Sequence, residues 1–433
     1  MNIVLTSWGT TGDVQPFLAL ASGLVHAGHR IRLCTSEIYR QRVIQAGADF
    51  FPVGLPFEPE RFDQLMDQII KIRNPLASAM VVAKEGILSG AQTWYDDCLQ
   101  AMRSPIGTPD GFDLSISHSA DIPGQEAAIR ADIPNITVSY CPAFIRSITN
   151  PPPPMVNLGK PVSWLLWKLI ELVMVTKVDP LFNQFIGQVG GQPRRMVGFA
   201  GMYSPLMNLV AASPAIAPPP RDLPANHCFT GVWTLDEADY HPPLDLLDFL
   251  DAGDKPIVVS FGSMGGTHDP TPTILEAIRR TGQRVIIQSG WGNLGVSEGS
   301  TDQDPRTSDL FCVDYVPHGF LFRQAKLVIH HGGAGTTTAV CRAGVPSIVV
   351  PHLADQPYWA GLLQQRGLAP KPLHRQQLSV AKLAQRVQQT LNSPQMFEAA
   401  KTVGQQMTGE NGVKTAIRLI EAFAEEQQKT SLR

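Results

Sequence analysis

"HHGGAGTTTAVCRAGVPSIVVPHLADQP", residues 330–357, follows the apolar run "AKLVI" at 325–329. The order reads as a buried strand, a glycine loop and a helix. Gly332, Gly333 and Gly335 let the backbone turn tightly and approach a ligand without a Cβ in the way. A helix expected to begin near Thr336 would present unpaired N–H groups and a positive dipole end, which suits a phosphate. Thr336 and Thr337 add hydroxyls, and His331 adds a ring donor. The same residues also read as a plain glycine turn with threonine caps and a packed histidine. The loop contains no G-x-G-x-x-G, and the chain has no Walker A motif, so neither a dinucleotide fingerprint nor a P-loop is indicated. Downstream, "GVPSIVVPH" starts a further strand that runs on to Asp355–Gln356. A carboxylate beside an amide at a strand end suits sugar hydroxyls, which need both acceptors and donors.

The same grammar extends through the chain. In the first half, "NIVLTSW" (2–8), "RIRLCTS" (30–36), "DLSISHS" (113–119) and "PNITVSY" (134–140) read as strands. Helical patterns stand between them at 13–29 and 122–132. Asp13 is a possible N-cap of the first, and Gly28 lies near its stop. Stretches rich in Pro and Asp at 213–224 and 236–256 suit a linker and the entry to a second domain. The pattern then restarts with strands at 256–264, 283–290, 310–316, 326–332 and 346–352. Strand–helix–strand order means α/β architecture with parallel sheets wound on both faces. The expectation is two Rossmann-like domains facing a cleft, 1–235 and 236–412. The amphipathic segment 413–433 then returns to the first domain. In such sheets ligands bind beyond the carboxyl ends of strands.

A chain of 433 residues is long for one core, which agrees with two domains. A net charge of −3 gives no general electrostatic reason to bind nucleic acid or an anionic membrane. The six cysteines form no C-x-x-C pair and read as reduced core thiols of a cytoplasmic protein. The N-terminus lacks the basic and apolar regions of a signal peptide. No stretch reaches the roughly 18 apolar residues of a membrane span. The nearest, "SWLLWKLIELVMV" at 163–175, is interrupted by Lys168 and Glu171. It carries Trp164 and Trp167 and reads as a core helix, as a wall for an apolar acceptor, or as a helix resting on a membrane surface.

"YVPHGFLF" (315–322), "HHGGAGT", "RAGVPSIVVP" and "DQPYWAG" together resemble the nucleotide-sugar signature of family 1 glycosyltransferases with the GT-B fold. "SWGTTGDVQPFLALASGL" (7–24) is similar to the N-terminal loop and helix of the sterol glucosyltransferase and glycopeptide glycosyltransferase branch. The likeness covers both halves and is weakest at 55–110 and 145–210. It implies that His331 contacts the α-phosphate, that Gly333, Gly335 and Thr336 hold the diphosphate, and that Ser263 reaches the phosphates. It also implies that Val316 bonds the base through its backbone and that Asp355 and Gln356 grip the donor sugar. Trp291 is a further candidate near the base. The chain departs from the plant-type pattern at Tyr315 and His318, and it has Ala339 where that pattern places the ribose-binding Glu. The choice between UDP- and dTDP-sugars therefore stays open, with UDP-glucose the first expectation.

Attack by an acceptor hydroxyl on a sugar needs a base, worth roughly 10²–10⁴ in rate. Asp13, at the mouth of the first strand, is the candidate, and the resembling branch has Asp at this place. Its plain alternative is a helix cap. His118, after "DLSI", is a second candidate on the acceptor side, and His26 and His29 read as helix-end residues. "DQD" at 302–304 imitates a metal-binding D-x-D but stands in a polar loop, so no metal and no cofactor is expected. The expected activity is inverting transfer of a hexose to an apolar acceptor such as a sterol, terpenoid, polyketide or lipid. The alternatives are a nucleotide-sugar epimerase or hydrolase of the same fold, and a non-catalytic nucleotide-sugar binder.

Overall fold

The computed structural model describes residues 1–72, 74–104, 106, 111–152, 155, 157–235, 240–261, 270–289, 309–352 and 355–431. Ser263, Trp291 and the 302–304 triplet lie outside the described residues.

The first half builds one sheet from β1 (Asn2–Thr6), β2 (Arg30–Thr35), β3 (Asp49–Pro52), β4 (Leu114–His118), β5 (Asn135–Ser139), β6 (Asn208–Val210) and β7 (His227–Phe229). Its order is β3-β2-β1-β4-β5-β6-β7. The second half builds another from β8 (Ile257–Ser260), β9 (Val285–Gln288), β10 (Leu310–Val313), β11 (Leu327–His330) and β12 (Ser347–Val349), in the order β10-β9-β8-β11-β12. The strand pairings are parallel, with registers such as Ile3↔Ile31 and Val259↔Ile329. Parallel strands covered on both faces need continuous apolar runs, and β1, β8 and β11 supply them.

This order places two switch points. The chain leaves β1 toward β2 and β3, then returns to the other side of β1 with β4. It leaves β8 toward β9 and β10, then returns beside β8 with β11. At such points the connections diverge and open a crevice beyond the strand ends. The segments that follow β1, β4, β8 and β11 contain Asp13, Asp121, Phe261 and His331.

The stretch 236–256 is not simply a linker. Leu244–Asp251 is a helix whose Leu246 and Phe249 pack with Val258, Ile286 and Phe311. The acidic and proline content masked that apolar spacing. Between β3 and β4 the chain forms helices Pro59–Lys71, Pro75–Val81 and Ala91–Arg103.

The two halves share apolar contacts. One core joins Cys141, Ile145, Val210, Ile216 and Val232 to Cys341, Val349, Trp359, Leu363 and Met407. The last helix, Gly412–Ser431, puts Ala416 and Ile420 into the core of the first sheet, with Ile3, Leu5 and Leu18. Added atoms on Gly23 would meet Val413 and Ile417, so the two helices pack closely there. Glu421 accepts from His29 at 3.1 Å. The segments that lead into and out of the second half touch. A Cβ on Gly231 would lie 3.6 Å from the Cα of Gly412, and a Cβ on Gly412 would collide with the Val232 carbonyl. Ser213 donates to Glu410 beside them at 2.6 Å.

Candidate active site

A cavity of about 1910 Å³ lies between the two sheets and takes its lining from both. From the first half come Trp8 to Asp13, His118, Asp121 and Tyr140; from the second come Ser260, Gln288, His318, His331 to Thr336 in part, His352, Asp355 and Gln356.

Asp13 is not the N-cap of its helix. The helix runs Thr11–His26, Thr10 is the cap, and Asp13 is the third helical residue. Its Oδ2 reaches back to accept from the Thr10 N–H at 2.8 Å and the Thr10 hydroxyl at 3.2 Å. This reciprocal capping is the arrangement usually made by Glu or Gln. It spends one carboxylate oxygen on the loop. Burial, opposed by the Thr10 bonds, pushes the Asp13 carboxyl up to about 6. The Asp13 carbonyl accepts from the Tyr140 hydroxyl at 2.8 Å and the Ser7 hydroxyl at 3.1 Å, which anchors the turn to β5 and β1.

His118 closes the same wall. Its ring centroid is 5.1 Å from that of Tyr140, and its Nδ1 accepts from the Ala120 N–H at 3.2 Å. Burial lowers it to about 4, so it is neutral at pH 7. Asp121 went unremarked in the sequence. It caps the helix Ile122–Arg130 by accepting from the Gly124 N–H at 2.9 Å, and burial raises it to about 6. The visible signal was "DIPG", an N-cap followed by a first-turn proline.

Opposite stands the glycine loop. The helix is Ala334–Ala343, so it opens two residues before Thr336. Its first backbone bond is Thr337 N–H to the Gly333 carbonyl at 2.9 Å. The N–H groups of Ala334, Gly335 and Thr336 precede that bond and face the cavity's side of the helix end. Gly332 has φ +92, a left-handed conformation that side chains resist. A Cβ on Gly333 would run into Nε2 of His331. The His331 ring therefore lies directly over the loop. Burial, the neighbouring His318 and the Ser260 backbone act on it, and the net effect lowers it to about 4.

Asp355 directly precedes the next helix, Gln356–Gln365, without a side-chain capping bond, and its Oδ2 accepts from the Trp359 indole at 2.8 Å. Burial raises it to about 6, and the charge of Asp13 adds to the rise. Gln356 lies beside it with its amide oxygen accepting from the His352 N–H at 2.7 Å. A polar network, also unforeseen, sits at the inner end of β8. Ser260 donates to Gln288 Oε1 at 2.9 Å, His318 Nε2 lies 3.1 Å from the same oxygen, and Gln288 Nε2 donates to the Val316 carbonyl at 2.8 Å.

The Val316 side chain is buried with Leu321 and Phe322, and its carbonyl accepts from Gln288. Two expectations need correction. Trp167 is buried away from the cavity and donates to the Asn150 carbonyl at 2.9 Å. Trp164 is 50% exposed on the outer face of the same helix. The apolar wall is instead made by Phe57, Leu65, Trp94, Phe144, Phe182 and Phe199. Among the described residues, no three His, Cys, Asp or Glu side chains are grouped to hold a metal ion.

Residues 3–89 match the glycosyltransferase family 28 N-terminal domain, and residues 303–421 match the erythromycin biosynthesis protein CIII-like C-terminal domain. Vancomycin aglycone glucosyltransferase of Amycolatopsis orientalis is 30% identical over 85% of each chain. The chain belongs to the family 1 glycosyltransferases. Sterol 3-beta-glucosyltransferase UGT80A2 of Arabidopsis thaliana is 31% identical over 96% of this glycosyltransferase family member, which spans 65% of that protein's length. The glycotransferase of kitacinnamycin superposes with a TM-score of 0.70 at 18% identity, covering 98% of this chain and 99% of the other. That likeness confirms the GT-B fold in this family member. Two glucosyltransferase relatives thus share the halves that meet at the cavity.

Proposed function

We propose that the chain transfers glucose from a nucleotide sugar, UDP-glucose first, to a hydroxyl of a rigid apolar acceptor with inversion at the anomeric carbon. The observation that carries this reading is the cavity itself. It sets a carboxyl of raised basicity, Asp13, between an apolar wall on its own half and a glycine-loop helix end on the other. The first unit, 1–235 with the returning helix 413–433, would take the acceptor; the second, 236–412, would take the donor.

The diphosphate would lie against the N–H groups of Ala334, Gly335 and Thr336, with the helix dipole and His331 offsetting its charge. Asp355, through the oxygen not bonded to Trp359, and Gln356 would hold sugar hydroxyls. The acceptor O–H gives its proton to the free oxygen of Asp13 as its oxygen attacks the anomeric carbon. The bond from that carbon to the β-phosphate oxygen breaks, and its electron pair leaves with the nucleoside diphosphate. Attack from the side opposite the leaving group inverts the centre in one step. Stabilisation by the helix end requires neither a metal nor a further cofactor in this scheme.

The names of the relatives support glucose, and the aromatic wall supports a polycyclic acceptor over a small or charged one. An epimerase or hydrolase would have no use for so large an apolar wall. The test is turnover of UDP-glucose and dTDP-glucose by the full chain with sterol, terpenoid and polyketide acceptors, and with none. Acceptor-dependent product of inverted configuration by NMR coupling supports the proposal. Release of sugar at equal rate with and without every acceptor sinks it.

A further inference from the structure

We infer that the outer face of helix Lys160–Val173 docks the protein on an anionic lipid surface. The helix is amphipathic in the opposite sense to a core helix seen alone. Its inner side holds Ser163 and Trp167, both buried. Its outer side exposes Trp164, Leu165, Leu169 and Leu172, at 50 to 62% each. These positions fall within one half of the helical circumference, an arc that also contains the exposed Lys168. Leu158, 70% exposed just before the helix, extends the patch. Exposed large apolar residues are ordinary one at a time, but a contiguous set on one helix marks a contact surface.

The charges around the patch choose its occupant. Glu171 is ringed by three cations: Lys168 at 3.2 Å, Arg195 at 3.3 Å and Arg146 at 3.6 Å. One carboxylate cannot balance three cations, and the exposed Lys160 and Lys177 add to the surplus. The rim is therefore basic on a chain whose net charge is −3. A second copy paired through this face about a two-fold axis would set basic rim against basic rim. Anionic headgroups complement the rim, and acyl chains receive the leucines, with Trp164 suited to the boundary between them. The helical run continues through Met174–Val178 into Asp179–Gln188, but among the described residues no helix is long and apolar enough to cross a bilayer, and Ser163 and Trp167 are buried against the protein, so the helix would lie on the surface.

The helix that carries the patch also backs the cavity wall. On the helix's inner side, Trp167 meets the ring of Phe199 at 5.2 Å, and Phe199, Met174, Val178 and Phe182 line the cavity wall. A lipid surface at this helix thus lies one helix thickness from the apolar pocket.

The test uses binding alone, with no sugar donor or acceptor, so its outcome is independent of the proposed reaction. The full chain is sedimented with vesicles of phosphatidylcholine, with and without phosphatidylglycerol. Binding at least ~10-fold tighter to the anionic vesicles, weakened by salt, is expected. Leu165→Glu with Leu172→Glu should lose that binding at unchanged melting temperature. Leu165→Ser with Leu172→Ser should weaken it as well. Wild-type protein left in the supernatant with both vesicles overturns the inference. So does variant protein that sediments as well as wild type, or a wild-type dimer that the variants dissolve.

Discussion

Asp13 and Asp355 face the same cavity from opposite halves of the chain, and each carboxyl is held near 6 rather than near 4. Burial is the larger cause at both, and the charge of Asp13 raises Asp355 further. Two acids so placed resist being ionised together until a ligand separates or pairs them.

Asp13→Asn should keep the bond to Thr10, since the amide oxygen can accept from the same N–H. It removes the proton acceptor. Turnover with a true acceptor should fall roughly 10²-fold or more, while nucleotide affinity, read by calorimetry, stays unchanged. Near-full turnover would remove Asp13 from the mechanism and leave His118 as the group to test.

The same residue sets a pH signature. Its carboxyl is about 6 when folded against an ordinary value of 3.8. A raised folded value favours the protonated form, so stability is fullest below about 4 and declines as pH rises through 6. Asn does not titrate. The stability of Asp13→Asn relative to wild type should therefore grow between pH 4 and 6, by an order-of-magnitude ~1–3 kcal/mol, and level off above. Paired thermal melts across that range check it. The kcat/KM of the wild type should lose activity below an apparent pKa near 6 as Asp13 protonates.

His331→Ala should weaken nucleoside diphosphate binding ~10–100-fold, the range for a hydrogen bond to a charged group. The ring is neutral at pH 7 with a value of about 4, and a bound diphosphate would raise it. A value raised on binding means proton uptake, so affinity strengthens as pH falls. Calorimetry in two buffers of different ionisation enthalpy measures that uptake, which the alanine variant should lack.

Gly333→Ala tests the geometry without touching chemistry. Gly333 has φ −62, so the backbone accepts alanine, but the methyl group displaces the His331 ring. Donor affinity should drop while the melting temperature moves little. Unchanged affinity would show that the ring's place over the loop is incidental.

Asp355→Asn should separate sugar from nucleotide. Asn can still accept from the Trp359 indole. UDP-glucose should bind ~10-fold or more weakly and UDP alone as before. Equal weakening of both ligands would make Asp355 a structural partner of Trp359.

The sheets were legible because their strands are continuous apolar runs bounded by glycine and helix starts. The glycine loop was legible to within two residues. Strands of three residues, such as Asn208–Val210 and His227–Phe229, carry too little pattern to be seen in isolation. Trp164 and Trp167 misled because periodicity shows that a helix has two faces, not which of them meets the pocket. The bond from Gln288 to the Val316 carbonyl was not legible because the two residues are 28 apart in sequence. Asp121 was missed because a buried carboxyl reads in sequence as an ordinary cap.

The contact between Gly231 and Gly412 sets the mechanics of the cleft. The polypeptide enters and leaves the second half at one spot, so both cables are tied at a single knot. Sliding of one half along the other is restrained there, and rocking about that spot is the remaining freedom. A methyl group on Gly412 would wedge the knot open against the Val232 carbonyl, and Val232 itself lines the cavity, so a change at the knot reaches the pocket wall.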